Sequence, residues 1–232
     1  MRRVLIPLLA CICLLLGSPA ARAGEESETG RLRILLNGQP IGSEHFQITG
    51  TATEIHARGE VVLTVGDQTL RQTSSLLLAA DLSPRNYEWK MEEPKKTWLH
   101  LQFNGGQGTI TFLREDNKED QQVFEFGSSR VAVLDINFFH HYLLLARLYD
   151  FARGGAQTIK VFVPQTGQPG EVTVELKGVE TETVEGQAQP VRQLSITTED
   201  NQVLLWLTES GRFVRLRAPQ NNVEVVPEGA TP

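Results

Sequence analysis

Apolar residues recur at every second position over most of this 232-residue chain, in short runs broken by Gly, Pro and Asn. Side chains two apart on a strand share a face, so each such run buries one face and wets the other. "RLRILLNGQPIGSEHFQIT" sets the pattern. Leu32, Ile34 and Leu36 alternate with polar neighbours, Asn37-Gly38-Gln39-Pro40 make the turn, and Phe46 and Ile48 continue on a second strand. The same reading covers "GEVVLTV", "QTLRQTSSLLLAADL", "RNYEWKM", "KTWLHLQF", "GTITFLR" and "QQVFEFG". After a single interruption it resumes in "QTIKVFVPQ", "EVTVELKG", "VRQLSITT", "QVLLWLTE", "RFVRLRAP" and "NVEVVPE". No linker rich in Pro and Ser divides the chain and no repeat of 20–50 residues is visible. The expectation is therefore one β-rich domain over residues 24–232, its core at about 31–226. Residues 24–30 and 227–232 read as loose ends, and Glu115–Gln122 as a solvated hairpin loop.

The interruption is "NFFHHYLLLARLYDF", from Asn137 to Phe151. It contains no Gly or Pro, and Gly154-Gly155 stop it, so a helix is expected over about residues 136–153. Asp135 or Asn137 can cap its start. The helix is apolar nearly all round, as buried helices are. Leu144 and Leu148 form one stripe; Phe138, Tyr142, Leu145 and Tyr149 form a broadly opposite one. His140 and His141 are adjacent, about 100° apart around a helix, so they do not chelate one ion readily, and a zinc-protease helix needs a spacing of four. No metal or cofactor is expected. His140 and Arg147 are seven apart and are read as facing water or a sheet rim. His45, His56 and His100 fall on separate strands.

The chain opens "MRRVLIPLLACICLLLGSPAARAGEES". A basic start, an apolar run too short to span a bilayer, and Ala21-Arg22-Ala23 make a signal peptide cleaved before Gly24, and so a periplasmic or secreted protein. Leu8-Leu9-Ala10-Cys11 is a loose lipobox, but the apolar run continues past Cys11. Removing residues 1–23 takes away three arginines and no acid, leaving 19 Lys+Arg against 28 Asp+Glu and a net charge of −9. Both cysteines leave too, so disulfide and thiolate chemistry are excluded from the mature chain. The acidic balance argues against nucleic acid and anionic membrane surfaces as partners. No second apolar run reaches transmembrane length.

On these residues a resemblance can be stated. "NGQPIGSEHFQI" resembles the opening hairpin of bacterial envelope proteins built on a domain of unknown function. So does the order of the second half: "LDINFFHHYLLLARLYD", "IKVFVP", "KGVETETVEGQAQPVRQLSI" and "VLLWLTESGRFVRLRA", with Trp206 and the turn glycines. The resemblance implies an open antiparallel half-barrel, a strongly curved sheet around one central helix, similar in architecture to periplasmic lipoprotein carriers. It brings no catalytic residues, and the "FFHH" start departs from it.

Motifs for enzymatic chemistry are absent: there is no G-x-S-x-G elbow and no phosphate loop. Tyr87 and Trp89 share a strand face, and Trp98 follows a short turn; the three read as sheet core or as an aromatic platform. The expected function is that of a non-catalytic binding or carrier protein holding a lipid, another apolar ligand or an envelope protein between sheet and helix. The expected lining is Phe138, Tyr142, Leu145 and Tyr149 with Trp89 and Trp98. A hydrolase or lyase acting on cell-wall or matrix polysaccharide, and a scaffold for envelope proteins, are the alternatives.

Overall fold

The computed structural model describes residues 26–229. The expected signal peptide, with Cys11, lies outside the described residues. Strands β1 (Glu26–Leu36), β2 (Gln39–Gly50), β3 (Glu54–Val65), β4 (Gln68–Ala79), β5 (Pro84–Glu93), β6 (Thr97–Asn104), β7 (Gln107–Leu113) and β8 (Glu119–Glu125) make the first half. Then come the two-residue β9 (Ala132–Val133) and helix α1 (His140–Arg147). The second half holds β10 (Gln157–Val163), β11 (Gln168–Val184), β12 (Gln187–Thr197), β13 (Gln202–Thr208), β14 (Phe213–Ala218) and β15 (Val223–Pro227).

All fifteen belong to one sheet, in the order β8 through β1, then β15 down to β9. Each half is a meander running outward from a central seam where β1 pairs with β15. Neighbours are antiparallel except β9 and β10. The fold is mainly β, an open curved sheet with one helix among the described residues, as the alternation predicts.

The alternation sets the faces. Leu32 and Ile34 of β1, Phe46 and Ile48 of β2, Ala57 and Val61 of β3, and Leu76 and Leu78 of β4 all enter one core with α1. The two outer edges share no ladder. They meet through side chains: the Phe162 ring on β10 lies 4.8 Å from that of Phe124 on β8 and 5.1 Å from that of Phe126 just beyond it. Lys160 Nζ also donates to the Phe126 carbonyl at 2.8 Å. Aromatic packing thus closes what backbone pairing leaves open.

Three expectations need correction. The helix is less than half the expected length, eight residues. Asn137 has a φ of 73°, outside the helical region, so helical geometry cannot begin at 136. At the other end Asp150 Oδ1 accepts from the N–H groups of Ala152 and Arg153, and this local turn competes with helix. Secondly, residues 26–30 are not loose: they pair with β2 as far as Gly50. Their polar side chains hide this, because backbone pairing rather than burial holds them. Finally, Glu119–Gln122, expected in a loop, begin β8 and pair with β7 on an exposed edge.

Candidate functional site

Alternation makes position 44 a core position, in phase with Phe46 and Ile48, and the residue there is glutamate. Glu44 is fully buried. Its Oε2 accepts the N–H groups of Phe139 (2.9 Å) and His140 (3.3 Å), so a strand nearly a hundred residues away caps the helix; no side chain at the helix start does so. Its Oε1 lies 2.5 Å from His140 Nδ1. His140 fits because residue 59 on β3 is glycine: a Cβ there would stand 2.6 Å from His140 Cε1. The Phe46 ring stacks on the imidazole, centroids 5.7 Å apart.

Asp135 forms the second half of this cluster. The Tyr87 hydroxyl donates to its Oδ2, and the Asp135 N–H donates to His141 Nδ1 at 3.2 Å. The His140 and His141 rings are 4.5 Å apart, edge to face. Burial drives the protonation states. It pushes the Glu44 carboxyl up to about 8, against two backbone N–H bonds that favour the anion. It pushes Asp135 up to about 7 and His140 down to about 3, and takes His141 well below its ordinary value. The Glu44–His140 pair therefore holds one proton and no net charge near pH 6. The reading of His140 as facing water or a rim is overturned: the helix N-terminus needs an acceptor inside the sheet, and Glu44 brings the imidazole in with it. His45, His56 and His100 do not join. His56 Nε2 meets Ser75 Oγ (2.9 Å) and His100 Nε2 meets Asn86 Oδ1 (2.6 Å), both on the opposite face of the sheet from the core. Among the described residues no three His, Cys, Asp or Glu side chains are placed to hold a metal ion.

At the other end of α1 the sheet encloses a cleft of about 1590 Å³, open to solvent. Leu32, Phe46, Ile48 and Ile55 line one wall, and Phe213 and Val214 the other. The end of β11 and the turn after it (183–186), Arg212 and residues 227–229 form part of the rim. Arg147, the last residue of α1, enters the cleft and donates to Glu28 Oε2 at 3.0 Å. The other carboxylates of the cleft are also ion-paired, Glu185 with Arg212 (2.6 Å) and Glu228 with Arg31 (3.8 Å).

The residues expected to line a ligand space do not line this cleft. Phe138, Leu145, Tyr149 and Trp89 are buried in the main core, with Tyr142 packed against it. Trp98 pairs with Lys90 while Trp89 pairs with Leu99, so the two tryptophans point to opposite faces and do not form one platform with Tyr87. Both helix stripes meet core, Leu144 and Leu148 against Leu76, Leu78 and Val131.

A family model described as "Protein of unknown function (DUF3108)" matches residues 31–221. The chain belongs to the DUF3108 family. No curated protein and no solved structure matches it. The DUF3108 match takes in Glu44, Asp135 and both histidines, and the cleft from Arg31 to Val214. Trp206 lies outside the main core, in a small cluster with Val191 and Val214, where Arg215 stacks on it at 4.2 Å. Its ring N–H donates to Glu180.

Proposed function

We propose that this DUF3108 protein is an exported binding or carrier protein of the cell envelope, holding an apolar ligand in the cleft between β1–β3 and β11–β14. The cleft carries the reading. At about 1590 Å³ it exceeds the roughly 300–1,000 Å³ of ordinary small-molecule pockets, and its lining combines aliphatic and aromatic side chains, Leu32, Phe46, Ile48, Ile55, Phe213 and Val214 among them, with polar and charged ones. The ligand space differs from the expected one: it lies at the C-terminal end of α1 rather than between α1 and the aromatics of β5 and β6. The resemblance read from the sequence and the signal-peptide pattern of residues 1–23 support the same reading. The polysaccharide-hydrolase reading is the weaker one, because each cleft carboxylate is paired with an arginine and Glu44 and Asp135 are sealed in the core.

The test is mass spectrometry of what copurifies from the native envelope. A bound lipid supports the carrier; bound glycan, or protein partners with an empty cleft, replaces it with the polymer or scaffold reading. Intact mass settles export: the mature chain should start at Gly24, and a lipid-modified chain starting at Cys11 would place the protein on a membrane instead.

A further inference from the structure

Of the three arginines that line the cleft, Arg147 is the least exposed. Arg147 is 38 % exposed and its partner Glu28 25 % exposed, so both are drawn partly out of water. Arg212, also lining the cleft, exerts its positive charge on the same carboxylate. Two guanidinium groups thus act on one half-buried anion beside Leu32, Phe46 and Phe213.

We propose that the cleft takes an anionic amphiphile, its acyl chain along the apolar wall and its carboxylate or phosphate head replacing Glu28 on Arg147. This inference rests on the carrier reading and names the ligand's chemistry. A purely apolar ligand would leave Arg147 unused. The planar guanidinium fork matches a carboxylate or phosphate bidentately. Glu28 is a displaceable partner, because burial raises its pKa more than Arg147 and Arg212 lower it. An anion that remains ionised in the cleft, or protonation of Glu28, frees the fork. The alignment of peptide dipoles favours a cation at the C-terminal end of α1, so Arg147 keeps its place when the head exchanges.

The experiment is calorimetric titration of the mature protein with oleate, oleyl phosphate and oleyl alcohol, which share a chain and differ in the head. Wild type should bind at least one of the two anions about tenfold or more tighter than the alcohol, the scale of one charge-assisted hydrogen-bonded contact. Arg147→Gln should bring anion and alcohol within about twofold while alcohol binding persists, with Arg147→Lys between them. Glu28→Gln should tighten the anions and leave the alcohol unchanged. Thermal unfolding verifies that each variant is folded. A preference for oleyl phosphate alone assigns a phosphate head, and for oleate alone a carboxylate. Equal binding of anions and alcohol by wild type, or a preference that survives Arg147→Gln, overturns the head-group assignment and leaves the carrier reading standing. No binding of any of the three probes overturns both.

Discussion

Substituting Glu44 with glutamine should change how stability depends on pH, not only its size. Glu44 and His140 share one proton in the folded protein between about pH 3 and 8. In the unfolded chain the ordinary values are 4.5 and 6.5, so the same two groups hold two protons below 4.5, one between 4.5 and 6.5, and none above 6.5. Stability changes with pH only where the two states hold different numbers of protons. From 4.5 to 6.5 the counts agree and the pair contributes no slope. Above 6.5 the folded state holds one proton more, so stability falls with rising pH until Glu44 ionises near 8. Below 4.5 the unfolded state holds one more, and stability falls as pH drops. Each excess proton is worth about 1.4 kcal/mol per pH unit, so the wild type should lose on the order of 2 kcal/mol from this pair between pH 6.5 and 8. The result depends on the proton count of the pair and not on which of the two atoms carries it. Asp135 and His141 offset each other below about pH 6.5, because one gains a proton on folding and the other loses one, so Asp135 adds a smaller loss in the same direction only between 6.5 and about pH 7. Urea unfolding at half-unit steps from pH 4.5 to 8.5 measures this. Glu44→Gln keeps an acceptor for the N–H groups of Phe139 and His140 but cannot ionise, so it should remove most of the fall above pH 6.5. A wild type whose stability is level or rises from 6.5 to 8, or a variant that falls as steeply as wild type, would refute the assignment of one shared proton.

Other outcomes follow from packing. Phe138→Ala, at a position 1 % exposed, should cost about 3–5 kcal/mol by denaturant unfolding, whereas Trp98→Ala, outside the core, should cost less than about 1 kcal/mol; comparable costs would contradict the two-face assignment. Gly59→Ala should destabilise by roughly 1–3 kcal/mol, because its Cβ meets the His140 ring and both neighbours are locked; a neutral alanine would mean that α1 shifts freely on the sheet. Phe162→Ala should cost about 3–5 kcal/mol and speed amide exchange in β8 more than in β2, since Phe162 holds the unpaired edges together. Uniform acceleration across both strands would deny the seam a local role.

Most of the fold was legible because period-two alternation is a direct imprint of a sheet with one wet face. The buried cluster was also written in that code, as exceptions to it. Glu44 sits in phase with Phe46 and Ile48. Gln72 and Ser74 sit in phase with Leu76 and Leu78, and Gly59 falls between Ala57 and Val61. Those in-phase polar and small residues mark where the helix docks; Asn137 Nδ2 donates to Gln72 Oε1 there at 3.2 Å. The meaning of the histidines was not legible, since it depends on a carboxylate nearly a hundred residues away. The cleft was hidden for a different reason. Part of its wall is Ser27–Gly30, whose sequence carries no apolar signal, and Gly30 serves by lacking a side chain: a Cβ there would collide with the Phe46 ring.

The length of the helix decides why there is a cleft at all. Eight helical residues span about 12 Å, whereas strands of eleven or twelve residues, such as β1 to β4, run roughly 36–41 Å. The expected helix over 136–153, about 27 Å long, would have filled most of the curved sheet and left plain core. Instead Asn137 and the Asp150 turn confine α1 to one end, where Glu44 caps its start. Beyond Arg147 the concave face continues with no helix to cover it. Leu32, Phe46 and Ile48 then serve two purposes at once, belonging to the main core and also lining the cleft. A ligand that binds the folded chain in this cleft and not the unfolded one stabilises the fold as it binds. The same buried cluster that fixes where the helix starts, and the same turn that stops it, thereby set the size of the space beyond it.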